Sequence, residues 1–321
     1  MEITSIFDSK TNSPSVKQDS NTVLIIGNGF DLDLGMKTRY IDFASDKEFW
    51  PFGDKHDYEE NTLPCYLNKI KDDVKTWFDL ELLLASYASI DNSTQTNFNA
   101  NKDREYLTEL TDALARYLYH QEELYLEKMS QYHCTMRATI SKQVIDSIVR
   151  KTNYSIYSFN YTNLLKIFNS FSLGSVKCQY IHGSLNDNNI ILGTGDLQKL
   201  KDDYFFFHKS ANRLYKSCNL VEDLQNADEI YIFGHSLGDN DHDYFLEFFD
   251  LAIRVRQGSQ AKEKIKLRFF TYDNNSETEL KQQLMKLTHR HLSGLYAHCD
   301  LKFFKTKNRE ENLWELKDMF R

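Results

Sequence analysis

Val23-Leu24-Ile25-Ile26 runs directly into Gly27-Asn28-Gly29-Phe30-Asp31, and this junction constrains the fold more than any other stretch of the chain. An uninterrupted aliphatic run rich in β-branched residues and closed by glycine reads as a strand buried on both faces, the pattern of a central strand in a parallel sheet. Gly27 and Gly29 carry no Cβ, so the backbone can turn sharply there and approach a ligand closely. A helix that follows points its free N–H groups back at the turn, and such an end attracts phosphate. As a GxGxxG fingerprint the stretch is incomplete, because Leu32 holds the third glycine position and the next glycine is Gly35. A plain strand-to-helix turn is an equal alternative.

Comparable junctions recur after residue 150. Ser155-Ile156-Tyr157-Ser158-Phe159 leads to Asn160-Tyr161-Thr162, and Gln179-Tyr180-Ile181 leads to His182-Gly183-Ser184. Ile190-Ile191-Leu192 then precedes Gly193-Thr194-Gly195-Asp196, and Ile230-Tyr231-Ile232-Phe233 precedes Gly234-His235-Ser236-Leu237-Gly238-Asp239. Each reads as a short strand ending in a polar turn, with further strands predicted over 265–272 and 301–304. Of the twelve glycines, seven lie in these turns and an eighth, Gly35, just after the first, with only four elsewhere, which suggests backbone that needs positive φ or hugs a ligand. Strands alternating with helical patterns predict an α/β fold, a Rossmann-like doubly wound and mostly parallel sheet. Ligands of such sheets sit beyond the carboxyl ends of the strands, where Asn160, Thr162 and His182 fall. Asn160 also suits a helix cap. His182 can accept and return a proton near neutrality, although a lone histidine there is more often structural.

Residues 1–20 are polar and without apolar period, and are expected to form a flexible tail. A helix is expected over 32–44. Residues 21–46 and 151–321 are expected to build the sheet domain, interrupted by a helical insertion over 47–150. In that insertion Tyr66, Ile70, Val74 and Trp77 form one apolar stripe, Leu107, Leu110, Leu114, Tyr117 and Leu118 a second, and Met136, Ile140, Val144 and Ile148 a third. Asn-, Thr- and Ser-rich 90–102 reads as a loop within it.

Composition excludes several classes. With 321 residues, 41% of them hydrophobic, the chain can bury a large core. A net charge of -8 and a pI near 5.7 argue against a protein that coats nucleic acid or anionic membrane. No apolar stretch is long enough to span a bilayer and no signal-peptide core is present, so the cytoplasm is the expected location. The five cysteines are scattered without a CxxC pair, which suggests free buried thiols and no structural zinc.

Taken in order, Leu24–Asp31, Trp77-Phe78-Asp79-Leu80-Glu81, Ser158–Thr162, Ile181-His182-Gly183 and Phe233–Asp239 resemble the bacteriophage abortive-infection AbiH family, with coverage from about 22 to 320. That family in turn resembles sirtuin-like NAD-consuming domains. The resemblance implies that Asn160 and His182 are catalytic. It also implies that Gly27, Asn28, Gly29, Phe30, Asp31, Thr162, Gly183, Gly234, His235, Ser236 and Asp239 contact the nucleotide. Thr162 departs from the pattern, which usually carries an acidic residue two positions after the asparagine, and the four-cysteine zinc module of sirtuin deacylases is missing. The implied reaction is hydrolysis of NAD at the nicotinamide–ribose bond, with NAD as substrate and no further cofactor or metal. The implied setting is antiphage defence, with a phage-derived trigger and an off state set by homo-oligomerisation or by the insertion covering the cleft. Two other readings stand beside it. Asp196, His235, Asp239, Asp241, His242 and Asp243 suit a metal-dependent nuclease or phosphoesterase, although the aspartates also suit helix caps. A noncatalytic nucleotide or ADP-ribose sensor is the other.

Overall fold

The computed structural model describes residues 20–53, 57–73, 79–91, 99–131, 139–170, 173, 176–254, 264–307 and 316. Residues 1–19, Val74, Trp77, Phe78, Met136, Cys134 and 92–98 of the expected loop lie outside the described residues.

Six strands form one sheet: β1 (Asn21–Ile26), β2 (Asn153–Ser158), β3 (Gln179–Tyr180), β4 (Glu229–Phe233), β5 (Ile265–Thr271) and β6 (Cys299–Lys305). Their order is β3-β2-β1-β4-β5-β6 and every pairing is parallel, the arrangement of the doubly wound fold. Register places Ile26 opposite both Ser158 and Phe233, so β1 lies at the centre as its apolar run requires.

Helices cover both faces. In chain order they are α1 (Asn28–Asp33), α2 (Tyr40–Ser45), α3 (Leu63–Asp73), α4 (Leu80–Ala88), α5 (Ala100–Gln131), α6 (Ile140–Ile148), α7 (Leu164–Ser170), α8 (Leu220–Asn226), α9 (Leu246–Ala252), α10 (Asn274–Leu287) and α11 (Leu292–His298). Alternation along β1 sends Val23 and Ile25 into a core shared with α8, α9, α10 and α11. Leu24 and Ile26 enter the opposite core, built from α1, α6, α7 and the end of α5. A third core lies off the sheet, where α2, α3, α4 and α5 pack against Tyr161, Ile190, Leu192, Tyr204 and Phe207.

Several expectations change. The helix expected over 32–44 is split into α1 and α2, because Gly35 at φ +87° ends the first. Ile190–Leu192 is buried but forms no strand; an isolated bridge joins Thr194 to His208 beyond it. In α3 the inward face is Leu63 and Leu67, while Tyr66 and Ile70 are half-buried. Ala100–Lys102 opens α5 instead of extending a loop. The four described cysteines are free, with Cys299 buried and the others half-buried. No described helix is long and apolar enough to cross a membrane.

Candidate active site at the carboxyl edge of the sheet

Sheet order reverses between β1 and β4, so the crevice beyond their carboxyl ends is the switch point at which such folds hold ligands. There the two turns are packed backbone against backbone. A Cβ on Gly29 would stand 2.5 Å from Gly234 Cα, and one on Gly27 would stand 2.5 Å from His235 Cα. Gly234 itself has φ +62°. The amides of the first turn are correspondingly engaged: Gly27 N–H donates to Phe233 O and Gly29 N–H to Gly234 O, each at 2.9 Å. These glycines are explained by the contact between the turns, and their N–H groups are not free for a pyrophosphate.

Next to this crossing lies a buried cluster of charged and polar side chains. His182, two residues past β3, places Nε2 2.9 Å from Asp241 Oδ1. Asp241 lies in the 3-10 helix Asp239–Tyr244, and its other oxygen is 3.3 Å from His235 Nε2. His235 Nδ1 accepts the Leu237 N–H at 3.0 Å, so its proton sits on Nε2 and is directed at Asp241. The ring of Phe159 separates the two imidazoles, 5.3 Å from His182 and 4.2 Å from His235 between centroids. Lys209, only 4% exposed, sets Nζ 3.0 Å from His182 Nε2, 2.8 Å from Glu81 Oε2 and 3.5 Å from Asp241 Oδ1. Glu81 belongs to α4, whose first turn is capped by the Asp79 carboxylate accepting from Glu81 N–H and Leu82 N–H. Tyr40 donates to Glu81 Oε1 at 3.1 Å, and the Tyr161 hydroxyl lies 3.3 Å from the same oxygen.

Electrostatics in the cluster follow from burial against pairing. Burial would raise Asp241, but Lys209 and the two histidines hold it well below the usual carboxylate range. Burial and the Lys209 charge lower His182, more than its bond to Asp241 raises it. His182 is therefore a neutral imidazole, and its Nδ1 is buried without a hydrogen-bond partner.

A second cluster adjoins the Gly27 turn. Asn160 Nδ2 donates to Gly27 O at 3.1 Å, and Thr162 Oγ1 donates to Asp31 Oδ2 at 2.9 Å. Asp31 Oδ1 has no partner, and burial pushes its carboxyl up to about 7 despite the Thr162 bond. An acidic group thus does stand against Thr162, contributed by the first turn.

The structure brings Gly27, Asp31, Asn160 and Thr162 together, and joins His182 to His235 through Asp241. Asn28 accepts from Thr38 at 2.5 Å, and Phe30 is a core residue set edge-on to Phe168 and Phe233. Gly183, at φ +79°, serves a tight loop against Asn189. Ser236 is exposed, and Asp239 turns away to Lys286 at 2.8 Å. The aspartates of the metal reading scatter: Asp241 joins the imidazoles, Asp243 accepts from the Asp196 N–H, and His242 lies near Gln283 and Asp239. Among the described residues no three His, Cys, Asp or Glu side chains are placed to share an ion. Asp241 is not a helix cap.

Sequence reading missed Lys209 and gave Glu81 no role. Lys209 follows the aromatic run Tyr204–Phe207 with no motif around it. For Glu81 a signal was present: an N-cap aspartate followed by an acidic residue on an otherwise apolar helix, Leu80-Glu81-Leu82-Leu83-Leu84.

The family description "Bacteriophage abortive infection AbiH" matches residues 23–257. The chain belongs to the AbiH family. Glu81, Asn160, His182, Lys209, His235 and Asp241 all fall in the matched span, which stops short of β5 and β6. Membership of AbiH assigns the protein to phage abortive-infection defence. No curated protein and no solved structure matches the chain.

Proposed function

We propose that this member of the AbiH family acts in defence by hydrolysing NAD, or a closely related nucleotide, at the bond between nicotinamide and ribose. The observation that carries the reading is His182: a buried, neutral imidazole bonded to Asp241 through Nε2, its Nδ1 without a partner, beside the switch point of a dinucleotide-type sheet. Heterolysis of the C1′–N bond sends its electron pair to the pyridinium nitrogen, so nicotinamide leaves neutral and needs no acid. The ribosyl cation is then captured by water, whose proton passes to His182 Nδ1. Asn160 orients the ribose or that water from the β2 end, and Asp31, in its ionised fraction, offsets developing positive charge. Because the Gly27 and Gly29 amides are engaged, phosphate recognition falls to other groups. The burial of His182 suits an activity withheld until infection.

Purified protein, Asn160→Ala and His182→Ala incubated with NAD provide the test, with nicotinamide release as readout and circular dichroism as the check on folding. Loss of about 10²- to 10⁴-fold in His182→Ala, with Asn160→Ala also impaired, supports the roles. Undiminished release in both variants overturns them. Binding of intact NAD without turnover, in the presence of phage lysate, selects the sensor reading.

A further inference from the structure

Of the described residues between α2 and β2, Glu81 reaches His182 through the ammonium that it holds, with the buried Asp79 carboxyl behind it. Lys209 is buried, and burial alone would drive off its proton; Glu81 and Asp241 outweigh that and keep it cationic. The groups facing His182 are then Lys209, Asp241 and Glu81, with Tyr244 and Phe159 as ring neighbours and His235 across Asp241.

Three protonation states of His182 compete. With the proton on Nδ1, Nε2 accepts from Lys209 at 3.0 Å, but the same lone pair faces an Asp241 oxygen at 2.9 Å and a buried N–H is left without an acceptor. With both nitrogens protonated, a second buried cation stands 3.0 Å from Lys209. With the proton on Nε2, Asp241 accepts it, Lys209 gives up its bond to the ring and directs its N–H groups at Glu81 and Asp241, and the unpaired Nδ1 lone pair costs less than an orphaned N–H. Lys209 decides between the last two, because Asp241 by itself would favour the imidazolium.

We propose that Lys209, held in place by Glu81, is a positioning residue that keeps His182 in the neutral Nε2–H form with Nδ1 bare. The importance of this for catalysis rests on the proton-acceptor role given to His182 above; the ionisation itself does not. The clamp also makes α4 a working part of the site: a movement of α4 that withdraws Glu81 releases Lys209 and changes the charge on the base.

The test reads the imidazole directly. Full-length protein labelled with ¹⁵N-histidine is titrated from about pH 5 to pH 9, and the two-bond ¹H–¹⁵N signals of His182 are assigned by their loss in His182→Gln. In the native protein they should show Nε2–H with Nδ1 unprotonated throughout the neutral range. Lys209→Met should raise the midpoint by about one pH unit or more, with Lys209→Arg restoring it. Lys209→Met strands the Glu81 charge, so Glu81→Gln combined with Lys209→Met is the second variant, removing both charges, with a smaller shift in the same direction. If the reaction proceeds, the acid limb of the kcat profile moves with the midpoint. An unchanged midpoint in both variants, or a native Nδ1–H tautomer, overturns the proposal. The expected shift in a protein that releases no nicotinamide sinks the hydrolase reading and leaves the clamp standing.

Discussion

Asp31 shows at the residue scale how much a single buried group weighs. Its carboxyl titrates near 7 in the fold against 3.8 when exposed, since burial outweighs the Thr162 bond. The folded state therefore retains a proton that the unfolded chain has already released, and stability falls as pH rises from 4 to 7, then levels off. The full penalty is roughly 4 kcal/mol for a shift of this size. Asp31→Asn should thus be more stable than the native protein at pH 8 and gain nothing at pH 4, as urea midpoints at the two pH values will show. Native-like pH dependence in the variant would remove Asp31 as the source. Sequence marked Asp31 as part of the turn, but not its environment: what makes the group unusual is its burial, beside a Thr162 that lies 131 positions away. Lys209 was invisible for the same reason, since only the folded chain shows a lysine walled in by Glu81, Asp241 and His182.

At the level of elements, β1 and β4 were legible as apolar runs buried on both faces, and β2 and β5 as strand-like runs of β-branched and aromatic residues. Ile190–Leu192 carries the same signature and is not a strand, because burial in the third core satisfies an apolar run just as well. The glycines were read as backbone that needs positive φ or hugs a ligand. Gly27, Gly29 and Gly234 serve the close packing of one turn on another, Gly35 only a positive φ, and substitution can separate the two kinds of need. Gly234→Ala meets both positive φ and Gly29 Cα at 2.3 Å, whereas Gly35→Ala meets positive φ alone with nothing within 4 Å. The first should cost roughly 2 to 5 kcal/mol and the second about 1 kcal/mol, measured as a fall in urea midpoint at constant slope. Equal costs would mean that the two turns are not tightly packed.

For the whole molecule, a doubly wound parallel sheet followed from alternation of strands and helices, whereas the strand order and the meeting of α4 with the carboxyl edge did not. No local pattern announces which helix of a long inserted segment will return to the sheet. Family membership supplies the biological setting, and fold alone does not supply the chemistry. If NAD is the target, infected cells carrying the native protein should lose NAD before lysis and yield few plaques. Cells carrying His182→Gln should retain NAD and plaque like cells without the gene. Protection by His182→Gln equal to that of the native protein would separate defence from this imidazole.

β3 is the shortest strand, two residues on an outer margin paired to β2 alone, whereas β4 is bonded along both sides. His182 hangs from that margin. Its main chain is tied to the sheet by the Ile181 N–H to Ser158 O and to the following loop by the Ile191 N–H to its own carbonyl. The proposed base is thus moored to the rim of the scaffold, so opening of that rim would reach the buried ring before it reached the central strands.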